Sequence, residues 1–167
     1  MERKVLGVDI GGVIIDRVND NTDTSFFGDN YLQTTAVSGA FEVLKQLVER
    51  LDGNVYLVSK CGSIIRAKTR NWLNHHNFWV ATGLNPKNVH YCRERREKAD
   101  ICKGLSTTHF VDDRLEILSY LYPNVGNLFL FRGRENEIDH FRSFLSKVTR
   151  VNSWQEVLEL VCRKEKM

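Results

Sequence analysis

Short, unbroken apolar runs separated by segments of helical spacing leave this chain few folds to choose from. Val5-Leu6-Gly7-Val8, Val55-Tyr56-Leu57-Val58, Val89-His90-Tyr91-Cys92, His109-Phe110-Val111 and Asn127 to Phe131 each have the length and composition of a buried strand. Between them, Ala40 to Leu51, Ser63 to His75, Lys98 to Leu105 and Leu115 to Leu121 carry apolar residues three and four positions apart. Glu137 to Val148 and Ser153 to Val161 read as two further helices, the second opening on a Ser153–Glu156 capping box. This rhythm means βαβ units. It predicts a three-layer, doubly wound α/β domain with a mostly parallel sheet, and residues 1–167 suffice for one such domain.

One stretch breaks the rhythm. Arg17 to Ser38 is polar and turn-rich, and is expected to be a loop or small cap insertion, with Phe26, Phe27 and Tyr31 either pinning it to the body or meeting substrate. The net charge of +3 is too small to point to a nucleic-acid or membrane partner. Four cysteines without a C-x-x-C pair argue against a zinc knuckle or a disulfide framework. Asp9 interrupts the N-terminal apolar run, so it does not read as a signal peptide. A cytoplasmic protein with reduced thiols is the expectation. Trp72, Trp79 and Trp154 are assigned to the core, and His75-His76 to a helix end rather than to zinc.

In a doubly wound sheet, ligands bind beyond the carboxyl ends of the strands. Asp9 ends the first run, Ser59 the second, and Asp112-Asp113 the fourth. Arg93, Arg95, Arg96 and Lys98 follow the third toward the same edge. Clustered carboxylates repel one another unless a cation sits among them, and a hard divalent ion such as Mg²⁺ suits oxygen ligands. One free carboxylate, a metal, a hydroxyl and a lysine together suit phosphoryl transfer to an aspartate nucleophile.

These residues resemble the motifs of the haloacid dehalogenase-like hydrolases. Val8-Asp9-Ile10-Gly11-Gly12-Val13-Ile14 resembles the first motif, Leu57-Val58-Ser59 the second, Lys98 the third with Lys103 as a rival, and Phe110-Val111-Asp112-Asp113 the fourth. The resemblance runs in the correct order from about residue 5 to 131. It implies a phosphatase in which Asp9 becomes an aspartyl-phosphate. Ser59 would hydrogen-bond the transferring group, and Lys98 would stabilise its charge. Gly11 and Lys60 would join Ser59 and Lys98 in holding the substrate. Asp9, the Gly11 carbonyl, Asp112 and Asp113 would bind Mg²⁺. The spacing leaves no room for a large cap, so an open site for a phosphorylated small molecule or macromolecule is expected.

The chain departs from the family at one point. Gly11 stands where the usual phosphatase carries its acid/base aspartate, which implies slow turnover or a binding module that keeps Mg²⁺ and phosphate affinity. Taken singly, Asp9 and Ser59 can be turn residues and Asp112-Asp113 an N-cap pair. The first motif is also similar to the phosphate-binding hairpin of actin-like ATPases. The chain is about half the length that two-lobed fold needs, and the helix-then-strand rhythm after Asp9 conflicts with a hairpin.

Overall fold

Phe110 and Val111 show how the molecule is layered, because adjacent residues of one strand enter apolar clusters on opposite faces. Phe129 and Phe131 alternate in the same way with Leu128 and Leu130. The computed structural model describes residues 2–17, 26 and 28–164. Its elements in chain order are β1 (Leu6–Val8), α1 (Ala40–Arg50), β2 (Val55–Lys60), α2 (Ser63–His75), α3 (Phe78–Thr82), β3 (Val89–Cys92) and α4 (Glu97–Leu105). They continue with β4 (His109–Asp112), α5 (Leu115–Leu121), β5 (Asn127–Phe131), α6 (Glu135–His140), β6 (Thr149–Val151) and α7 (Trp154–Cys162).

The six strands form one sheet in the order β3-β2-β1-β4-β5-β6, and every neighbouring pair is parallel. The expected mostly parallel sheet is therefore wholly parallel across its six strands. Residues of α1, α2, α3 and α7 cover one face, and residues of α4, α5 and α6 the other. The strand order reverses between β1 and β4, which opens a crevice above their carboxyl ends. Among the described residues, no helix is long and apolar enough to cross a membrane.

Three elements differ from the sequence expectation. Glu137 to Val148 is not one helix: α6 stops at His140, and a 3-10 helix follows over Arg142–Lys147. Phe141, Phe144, Leu145 and Val148 all rest on the core from that tighter winding, which preserves the apolar spacing that reads as α-helix. The strand β6 was hidden because two of its three residues are exposed at the sheet edge. Asn77, at φ 54°, separates α3 from α2. Trp72 and Trp154 are buried as expected, but Trp79 is only half-buried, its indole N–H donating to Asn74 Oδ1. At α7, Ser153 Oγ accepts from Glu156 N as foreseen, while the Glu156 carboxylate accepts from Asn152 N, one residue before the expected donor.

The segment 17–38 is described in part, and Phe27 and residues 18–25 lie outside the described residues. Its return leg runs against the first motif, with Asp16 N donating to Thr35 O and Val37 N to Ile14 O. Trp72 Nε1 donates to the Thr34 carbonyl, and the His76 ring, stacked on Trp72, bonds the Leu32 carbonyl through Nε2. Tyr31 meets Phe26 edge-on and accepts from Asn71, so this part is fastened to α2.

At the opposite end of the sheet, burial and the Lys4 charge push His109 down to about 4. The folded chain then keeps a neutral ring where the unfolded chain takes a proton near 6.5, so the fold loses stability as pH falls from about 6.5 to 4. Asp113, raised to about 6, acts with the opposite sign, but it is shared by wild type and variant. In urea titrations, the stability of His109→Phe relative to wild type should therefore rise as pH falls through that window. A pH-independent difference would refute the assignment.

Candidate active site

Strand ends and a helix start build the site. Asp9 lies directly after β1, and its backbone N–H donates to Val111 O at 2.9 Å, which fixes it against β4. Asp112 closes β4 and is fully buried. Lys98, on the first turn of α4, is 1% exposed. Its Nζ donates to Asp9 Oδ1 and to Asp112 Oδ2, both at 2.9 Å. Lys103, the rival from the sequence, is exposed on the same helix. Ser59 and Lys60 end β2, the first buried and the second exposed, and both line the cleft that contains Asp9 and Lys98.

The turn after Asp9 is tight. Ile10 O accepts from Val13 N, Ile14 N and Ile15 N, and Trp154 Nε1 ties the Val13 carbonyl to α7. Gly12 has φ +78°, and a Cβ there would stand 2.4 Å from Asp113 Oδ2, so only glycine fits. Gly11 differs: its φ is outside the left-handed region, and a Cβ would meet nothing within 4 Å.

Charge is concentrated here. Burial alone would lower the Lys98 pKa, but Asp112 and Asp9 outweigh it and hold the ammonium well above the ordinary lysine range. Burial, and then Asp9, push Asp112 up against the pull of Lys98, and the same two causes raise Asp113 to about 6. Lys98 is thus a fixed cation that does not fully offset three carboxylates. Asp9, Asp112 and Asp113 each offer an oxygen within 4.8 Å of the others, a hard donor set of the kind Mg²⁺ takes. Asp113 is also held by Arg17, Nη2 to Oδ2 at 2.9 Å.

The cleft above them measures about 640 Å³. Of the basic cluster after β3, Arg95 lines it while paired with Glu116, whereas Arg96 pairs with Glu94 at the surface. Cys61 lines it too, but burial raises its thiol pKa. Removing the lysine should expose the balance of charge. Lys98→Met should cost about 3–5 kcal/mol of stability by leaving buried carboxylates without their cation. Part of that loss should return on adding Mg²⁺, read as a rise in melting temperature larger than in wild type. An unchanged melting temperature would contradict this picture.

No protein-family model matches the chain, and no curated protein matches it significantly in sequence. Solved structures do match. A crystal structure of D,D-heptose 1.7-bisphosphate phosphatase from B. bronchiseptica, complexed with magnesium and phosphate, superposes with a TM-score of 0.65. The two are 15% identical, over 95% of this chain and 97% of that one. A chain described as a haloacid dehalogenase-like hydrolase, from Burkholderia xenovorans LB400, superposes at 0.55 with 16% identity, over 77% of this chain and 60% of that one. The chain has a haloacid dehalogenase-like fold.

Within this dehalogenase-like fold, Asp9, Gly11, Ser59, Lys60, Lys98 and Asp113 line the crevice. Asp112 is buried beneath it on Lys98, and Lys103, Arg93 and Arg96 stay outside its lining. What sequence reasoning missed is basic: Arg17, Arg114 and Arg134 line the same cleft. They are far apart in the chain and carry no local signal.

Proposed function

We propose that this protein is a Mg²⁺-dependent phosphoryl hydrolase working through an aspartyl-phosphate on Asp9. The observation that carries the reading is the Lys98 ammonium, buried and donating to both Asp9 and Asp112. A lysine fixed by two carboxylates from different strands sets a positive charge against Asp9, as a carboxylate nucleophile requires. Cys61, its thiol held protonated by burial, is a poor competitor. Magnesium, held by Asp9, Asp112, Asp113 and the Gly11 carbonyl, would neutralise charge on the phosphoryl oxygens.

In the first step a carboxylate oxygen of Asp9 attacks phosphorus while the ester P–O bond breaks. Ser59 donates to a phosphoryl oxygen, and Lys98 offsets the growing charge. With Gly11 in the acid position, the leaving group departs as the anion and takes its proton from water. Water then attacks the aspartyl-phosphate, releasing inorganic phosphate and restoring Asp9. Without a side-chain base this step is slow, and the expected rates are low. The crevice carries no large cap among the described residues, which suits substrates that extend beyond the phosphate.

The reading is tested with an aryl phosphate. Turnover should require Mg²⁺, cease on chelation and return when Mg²⁺ is restored. Mg²⁺ binding without turnover would instead favour a regulatory module that holds phosphate but does not cleave it.

A further inference from the structure

Arg17 follows the β1 turn, Arg114 follows β4, and Arg134 follows β5, so successive strand ends carry one guanidinium each. With Asp113 and Glu137 they wall a recess of about 20 Å³ that adjoins the main cleft. Arg17 is held in place by Asp113 Oδ2 at 2.9 Å and the Arg132 carbonyl at 3.2 Å. Glu137 is engaged elsewhere, its two oxygens accepting from Leu115 N and Glu116 N at 3.2 and 2.9 Å. Among the described residues, Arg114 and Arg134 have no ion-pair partner. Three guanidiniums thus face one wall of the crevice with a single carboxylate bound among them.

We propose that Arg17, Arg114 and Arg134 form a second anion site, so that the substrate is a phosphate ester carrying another phosphate or a carboxylate on its β5 side. Like charges brought together need an anion between them, and a guanidinium fork matches phosphate and carboxylate in two-point geometry. The placement fits the proposed reaction, on which the inference rests. The reacting phosphorus must lie by Asp9, Ser59 and Lys98, and the arginines lie to one side, beyond Asp113. They select the substrate and leave the transferring group to Lys98.

The test uses ligands that cannot be hydrolysed. Methylphosphonate carries one anionic group, phosphonopropionate adds a carboxylate, and propylene diphosphonate adds a second phosphonate. In calorimetric titrations with Mg²⁺ present, at least one two-headed ligand should bind about tenfold more tightly than methylphosphonate. Which of the two is preferred identifies the second group. In Arg134→Gln and in Arg114→Gln the preference should fall to about twofold or less, with methylphosphonate affinity unchanged. Equal binding of all three ligands, or a preference that survives both substitutions, would overturn the proposal. A clear preference in a protein that hydrolyses no ester would uphold the anion site and defeat the hydrolase reading. Turnover without preference would do the reverse.

Discussion

Asp9→Asn is expected to abolish turnover, with a loss of about four orders of magnitude or more, the scale seen when an enzyme loses its nucleophile. An amide does not attack phosphorus at a useful rate and is a weaker ligand for a hard cation. The fold should survive. The new amide keeps an oxygen to accept from Lys98, and the backbone N–H bond to Val111 is untouched. The variant also relieves Asp112 of the Asp9 charge that raises it, so the melting temperature should hold or increase. Acid-quenched wild-type protein should carry phosphate on Asp9, and the variant should carry none. Residual turnover above a hundredth of wild type would move the nucleophile elsewhere.

The second large effect runs the other way. Wild type should hydrolyse aryl phosphates far faster than alkyl phosphates, because a phenolate leaves without a proton and an alkoxide does not. Gly11→Asp should raise alkyl-phosphate turnover by about 10²–10⁴-fold, the range that a positioned general acid supplies. The substitution is permitted: Gly11 is outside the left-handed region and its Cβ meets nothing within 4 Å. Gly12 supplies the contrast, since its left-handed backbone and the nearby Asp113 oxygen make Gly12→Ala destabilising. Equal aryl and alkyl rates in wild type would show that another group already delivers the proton.

Why the crevice was readable and its arginine wall was not is a matter of range. Asp9, Ser59 and Asp112 end apolar runs, and a parallel sheet buried on both faces writes its strands as such runs. Once the strands are aligned, their ends fall on one edge without further information. Lys98 over Lys103 needed the structure, because both sit on α4 and only their direction separates them. Arg17, Arg114 and Arg134 follow no period and meet only because β1, β4 and β5 are neighbours. The edge strand β6 and the 3-10 helix were illegible for a local reason, since exposed Thr149 and Arg150 break the apolar run and the tighter winding imitates α-helical spacing.

The place of β1 in the sheet bears on how such a chain is made. Leu6 pairs with Val55 on one side and with His109 on the other, partners that leave the ribosome long after it does. Until β4 emerges, the nascent chain holds Leu6 and Val8 on a strand with one bare edge, the template on which unrelated strands add. Fragments ending before residue 109 should therefore clump rather than hydrolyse anything. A chaperone that shields this first strand during synthesis would raise the yield of folded protein more than any change at the crevice.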